Sequence, residues 1–96
     1  MVGFQITLKP EAARDLNRLR KYVAAMVVDH IERHLRFEPA RVSRSRIKRL
    51  RGRQPADYRL RLGAYRVFYR IAGNEVQVLR VMHKDQTREF YREEQP

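Results

Sequence analysis

The 96-residue chain has no cysteine, only four glycines and four prolines, and no long apolar run. Without cysteine there is no disulfide scaffold, no thiolate nucleophile and no cysteine-built zinc site. His30, His34 and His83 are the only imidazoles. No apolar stretch approaches the 18 or more residues that a membrane-spanning helix needs. No glycine-rich loop precedes a helix, no serine-centred elbow is present, and no pair of carboxylates suggests glycoside hydrolysis. The first residues lack the basic region and apolar core of a secretory signal. The expectation is one cytoplasmic domain over residues 1–96, with no membrane partner.

Acidic residues are scarce where basic ones are dense. The formal net charge is +11, and residues 41–70 hold ten arginines and Lys48 against Asp57 alone, a net of +10. Flanking residues 1–40 and 71–96 carry only +2 and −1. Solubility would be served as well by mixed signs. Ten arginines to one lysine point instead to a polyanion, because the planar guanidinium grips phosphate oxygens in pairs and stacks on bases.

Val2, Phe4, Ile6 and Leu8 alternate with small or polar residues, the period of a strand with one apolar face. Pro10 suits the first turn of a helix, with Glu11 at its positive end. Ala12, Leu16, Leu19, Val23, Met26, Val27, Ile31 and Leu35 then recur at three- and four-residue spacing, an amphipathic helical stripe. One long helix and a hairpin broken near residues 20–23 both fit, and helix ends by Glu38, before Pro39. Residues 40–57 read as a long arginine-rich connector tethered by Ile47 and Leu50. Three strands follow, around Tyr58–Leu62, Tyr65–Ile71 and Glu75–Met82, with turns at Gly63-Ala64 and Gly73-Asn74. This order predicts a two-layer α+β domain, with helices covering one sheet face and a partly apolar, basic face left open.

Arg59 and Arg61, two apart on a strand, leave the same face about 6.5–7 Å apart. Arg66 on the next strand can lie across the hairpin from them, so three guanidinium groups would converge on a phosphate. His83 and Lys84, at the end of the last strand, suit proton transfer and charge neutralisation. Tyr91, between Arg88 and Arg92, is a phenolic acid–base or base-stacking candidate. His30 and His34 have metal-like spacing, yet they fall on the helical core stripe, and burial is the expectation rather than a metal site. Chemistry on phosphate would then proceed without metal or other cofactor. RNA permits this, since its own 2′-OH can supply the nucleophile.

Leu50-Arg51-Gly52, the run Tyr58-Arg59-Leu60-Arg61-Leu62-Gly63-Ala64-Tyr65-Arg66-Val67-Phe68-Tyr69-Arg70-Ile71, and Val78-Leu79-Arg80-Val81-Met82-His83-Lys84 together resemble the RelE/ParE superfamily of bacterial type II toxins. The resemblance implies a microbial RNase-like fold, two N-terminal helices packed on a small antiparallel sheet, which favours the helical hairpin. It implies a metal-independent endoribonuclease that cleaves translated mRNA on the ribosome by 2′-OH attack. It also implies a cognate antitoxin partner, a monomeric free toxin and a hetero-oligomeric complex. Arg59, Arg61, Arg66, Lys84 and Tyr91 match the family's site positions, with Phe90 competing for the tyrosine position. Arginine stays protonated and is a poor base, so Arg59 and Arg61 are expected to clamp charge, leaving proton transfer to Tyr91 or His83. Arg41, Arg44, Arg46, Lys48, Arg49, Arg51 and Arg53 are expected to bind ribosomal RNA. The superfamily's other branch inhibits DNA gyrase without nuclease chemistry, and that remains the alternative.

Overall fold

The computed structural model describes residues 2–51 and 55–87. Its elements run β1 (Gln5–Leu8), α1 (Pro10–Asn17), α2 (Lys21–Leu35), β2 (Ile47–Arg49), β3 (Tyr58–Leu62), β4 (Tyr65–Ala72), β5 (Glu75–His83) and a 3-10 turn at Lys84–Gln86.

The helical stripe is a hairpin. Pro10 occupies the first turn of α1, where its missing N–H costs no hydrogen bond. Arg18 and Leu19 close α1 with bonds back to Asp15 and Leu16 carbonyls, and Arg20 is extended as it opens α2. No glycine or proline makes this break; packing does. An unbroken helix of some 26 residues would reach about 39 Å, longer than the roughly 30 Å of a nine-residue strand. Folding back places Ala12 and Leu16 of α1 beside Val27, Ile31 and Leu35 of α2 in one buried cluster, with the half-buried Leu19 and Val23 against it.

The five strands lie in the order β1-β5-β4-β3-β2. β2, β3, β4 and β5 pair antiparallel in sequence. β1 joins β5 in parallel, with Ile6 opposite Val76 and Leu8 opposite Val78. The sheet is therefore mixed, where the sequence suggested an all-antiparallel one. The parallel edge arises because β1 reaches the sheet only through the helical layer, which lets it run alongside the last strand. The arginine-rich connector contains a strand, β2, and Ile47, expected as a tether, is its buried anchor opposite Leu60. Gly63 and Gly73 hold positive φ, +58° and +59°, at the two hairpin turns, where an L side chain would be strained.

Alternation in β3, β4 and β5 sends Tyr58, Leu60, Leu62, Val67, Tyr69, Val76, Val78 and Val81 toward the helices, forming the main core. Tyr69 is fully buried there and donates its hydroxyl to the Pro39 carbonyl at 2.5 Å. A second, smaller cluster of Ala56, Phe68 and Met82, with Leu50 and Leu79 packed against it, lies on the opposite face. The face away from the helices is thus partly apolar, as its sequence suggested. A register shift between Phe68 and Tyr69 accommodates it: Phe68 pairs with Arg80 and Tyr69 with Val78, so Leu79 is the extra residue.

Candidate nucleic-acid interface

The arginines of β3 and β4 sit at the positions that alternate with the core. Residues opposite each other in a ladder share a face and are about 4.5–5.5 Å apart at Cα. Arg61 pairs directly with Arg66, and Arg66 with Met82 on the next strand. One step along, Lys48 pairs with Arg59, and Arg59 with Phe68. Lys48, Arg59, Arg61 and Arg66 therefore occupy one contiguous patch on the face turned away from the helices.

Each cation in the patch is held differently. Arg61 is exposed, and among the described residues its guanidinium has no hydrogen-bond or ion-pair partner. Arg66 folds back on the hairpin turn, donating from one terminal nitrogen to the Gly63 carbonyl at 2.8 Å and the Tyr65 carbonyl at 3.0 Å. Arg59 is half-buried, and its Nε is buried without a hydrogen-bond partner among the described residues. A buried charged donor left in that state is costly unless an anion completes it. Like charges opposed across a hairpin repel. The Arg61–Arg66 pair therefore sets two positive charges against each other on one face.

Arg70 extends the same face by four residues along β4. Its Nε donates to Gln77 Oε1 at 2.7 Å, Gln77 donates onward to Glu75, and Thr7 donates to the other Glu75 oxygen at 2.5 Å. The hydrogen bonds from Thr7 and Gln77 hold the Glu75 carboxyl below its usual range. Arg70 was not among the expected site residues, although its even spacing from Arg66 already placed it on that face.

His83 is not part of this patch. It pairs with Tyr65, one register step from the Arg66–Met82 pair, so it leaves the sheet on the helical side. Its ring meets Tyr65 edge-on at 5.7 Å. Its Nδ1 accepts the Asp85 backbone N–H at 3.2 Å, and its own backbone N–H donates to Gln86 Oε1 at 3.0 Å. His83 thereby caps the 3-10 turn. Lys84 follows, exposed, with its backbone N–H on the Ala64 carbonyl at 2.7 Å, so it adjoins the same hairpin turn as Arg66. Tyr91 and Arg53 lie outside the described residues, as does Phe90.

The arginine-rich connector does not form one surface. Lys48 faces the arginine patch, while Arg49 pairs with Tyr58 on the other face. The Arg49 guanidinium donates to the Tyr58 hydroxyl at 2.9 Å and lies 5.4 Å from the ring centroid, so it is engaged within the fold. Arg41 is exposed and pairs with Glu38 at 3.3 Å. Arg44, Arg46 and Arg51 are exposed.

His30 and His34 are half-buried and stacked, centroids 5.9 Å apart and planes 14° from parallel. Among the described residues no three histidine, aspartate or glutamate side chains gather to hold a metal. No described helix is long and apolar enough to cross a membrane.

Residues 6–88 match the family model described as ParE toxin of type II toxin–antitoxin system, parDE. Comparison with curated proteins gives no significant match. Among solved structures, the toxin–antitoxin complex RelBE2 from Mycobacterium tuberculosis contains a chain 35% identical to this one, with a TM-score of 0.74, covering 86% of this chain and 93% of that one. The archaeal RelE–RelB complex from Pyrococcus horikoshii gives a TM-score of 0.68 at 22% identity, covering 86% and 97%. A mutant of the E. coli toxin RelE in the free state gives 0.68 at 23% identity, covering 98% and 95%. The last two share the fold: two helices on a five-stranded sheet.

Proposed function

The chain belongs to the ParE toxin family of type II toxin–antitoxin systems, within the RelE/ParE superfamily, and from that premise we propose that it is a RelE-like, ribosome-dependent endoribonuclease. The observation that carries this reading is the Arg61–Arg66 pair, opposed across the β3–β4 hairpin on the face away from the helices with Arg59 beside it. In the proposed reaction a 2′-OH attacks the adjacent phosphorus, the P–O2′ bond forms and the P–O5′ bond breaks. One proton leaves the 2′ oxygen and one reaches the departing 5′ oxygen. The guanidinium groups of Arg61 and Arg66 hold the non-bridging oxygens and stabilise the charge that grows on them. The Arg59 guanidinium beside them adds positive charge, and Lys84 adds more at the turn. The arginines position and neutralise rather than carry protons, since guanidinium stays protonated. We assign proton transfer to Tyr91, with His83, whose ring caps the 3-10 turn, as the alternative.

The exposed cations Arg41, Arg44, Arg46, Lys48 and Arg51 supply contacts to ribosomal RNA, with Lys48 on the same face as the cradle. The Mycobacterium tuberculosis relative is found in a toxin–antitoxin complex, which supports a cognate antitoxin as the protein partner here. Because the chain matches the ParE toxin family, the superfamily's gyrase-directed branch is the alternative in the test. A translation extract, with mRNA 3′ ends mapped after toxin addition, is run beside a gyrase supercoiling assay. Cuts within translated codons with normal supercoiling are the expected result. Intact mRNA with inhibited supercoiling would replace this reading with the gyrase one.

A further inference from the structure

A second basic site lies away from the sheet arginines, between the end of α2 and the loop leading into β2. A cavity of about 490 Å³ opens there, within the size range of small-ligand sites. Arg33, Arg41 and Arg46 surround it against a single acid, Glu38, and His34 and Phe37 complete the working part of the wall. Phe37 is 56% exposed, a large apolar ring that the fold leaves in water. It follows the last turn of α2, directly before Glu38 and Pro39, where the helix has ended and the ring has no core to enter.

The charges are arranged to receive an anion without locking on to their own acids. Arg33 pairs with Asp29 at 3.2 Å and Arg41 with Glu38 at 3.3 Å, each with both side chains more than half exposed. Such surface pairs contribute little and exchange easily. Burial first, and then the neighbouring Arg46, His30 and Arg33 charges, lower the His34 pKa, so its ring is neutral at physiological pH and can both donate and accept a hydrogen bond. An aromatic face, a neutral imidazole edge and three guanidinium groups around one cavity are the components with which proteins hold an unpaired nucleotide. The ring stacks on the base, and the cations follow the backbone.

We propose that this cavity binds a single unpaired nucleotide of RNA, its base stacked on Phe37 and its phosphates held by Arg33, Arg41 and Arg46. The proposal rests on the RNA-directed reading above and gives Arg41 and Arg46, with Arg33, a specific ligand within it. The Arg46 carbonyl accepts the Arg61 backbone N–H at 2.8 Å, so the loop walling the cavity is tied to the strand that carries the cradle. RNA passing around the β2 edge of the sheet would meet both sites. An acidic polypeptide would also be drawn by the three arginines, but it has less use for a neutral imidazole beside an exposed ring.

The test uses the full chain and a fluorescently labelled, unstructured RNA decamer, with a duplex RNA of equal length as control and polyglutamate as the acidic polypeptide. Phe37→Leu keeps every charge, and the exposed position predicts an unchanged thermal midpoint. It should weaken decamer binding about tenfold and leave duplex binding as it was, while Phe37→Trp restores the decamer. Equal decamer affinity for wild type and Phe37→Leu would overturn the proposal. So would a loss confined to polyglutamate, which would assign the cavity to a protein partner. The two readings fail separately. Loss of decamer binding in Phe37→Leu, with no mRNA cleavage by the wild type, would retain this site and remove the nuclease. Normal cleavage with Phe37-independent binding would do the reverse.

Discussion

Asp15 of α1 receives the Arg80 guanidinium through two hydrogen bonds, from Nε at 2.8 Å and from a terminal nitrogen at 3.1 Å, and with the same Oδ2 accepts the Val81 backbone N–H at 2.8 Å. β1 pairs with β5 only as far as Val78, so the Asp15 carboxylate takes over the next edge donor and fastens the helical layer to the sheet. The Asp15 side chain is 9% exposed and that of Arg80 is 34%, so solvent screens the pair only in part. Asp15→Asn should destabilise the fold by about 2–3 kcal/mol, the scale of hydrogen bonds to charged groups. The urea midpoint should fall with an unchanged denaturant slope. A midpoint equal to wild type would mean that the bridge is not needed to hold α1.

Tyr69 combines burial with a hydrogen bond to the Pro39 carbonyl. Burial, with a smaller contribution from Tyr58, raises its pKa well above the ordinary phenol value. A raised folded pKa means that this stabilisation is fully present below about pH 10, where the unfolded phenol titrates, and is lost as pH climbs toward the folded value. Tyr69→Phe should cost about 1 kcal/mol at neutral pH. The difference between the two proteins should then shrink as pH rises above 10, read by denaturant titration at several pH values.

Glu75 makes the opposite prediction. Its pKa is lowered mainly by the hydrogen bond from Thr7, then by that from Gln77. The stabilisation is present above the usual carboxylate pKa and disappears as pH falls through the lowered value. Thr7→Val should move the Glu75 titration back up toward the ordinary range, followed by the carboxyl carbon shift in NMR. An unchanged titration would assign the lowering to the rest of the network.

The β3–β4 turn depends on Gly63. Its φ is +58°, and an added Cβ would meet nothing within 4 Å, so Gly63→Ala isolates backbone strain from crowding. A cost of about 1–2 kcal/mol is expected, or a fall in thermal midpoint of roughly 4–16 °C for a domain of this size. Gly63→Asn should recover part of it, since asparagine tolerates the left-handed region.

Much of this architecture could be read from residue spacing. The alternation of Tyr58, Leu60 and Leu62 against Arg59 and Arg61, and of Val67 and Tyr69 against Arg66 and Arg70, fixed which face each arginine occupies once the turn at Gly63 was recognised. Four features were hidden because they depend on contacts between distant segments. β2 exists because Ile47 finds Leu60, and nothing local in a stretch so rich in arginine announces a strand. β1 joins in parallel because the helical layer returns the chain to the same end of the sheet, a matter of topology rather than pattern. His83 lies next to Lys84 in sequence, but the alternation in β5 turns it to the side of Tyr65. The bulge at Leu79 shifts that alternation, so counting from Val76 or Val78 does not locate it. Arg49 was likewise separated from its neighbours by one step of register, which puts it on Tyr58.

The central claim is that Arg61 and Arg66 together hold the phosphate at which RNA is cut. The most direct test is single-turnover cleavage of ribosome-bound mRNA by wild type, Arg61→Ala, Arg66→Ala and the double variant, each shown folded by thermal melt. The account predicts that each single variant slows cleavage by about 100-fold or more. It also predicts that the double variant loses less than the product of the single losses, because both groups serve one phosphate. Cleavage by the Arg61→Ala and Arg66→Ala proteins at the wild-type rate would contradict it.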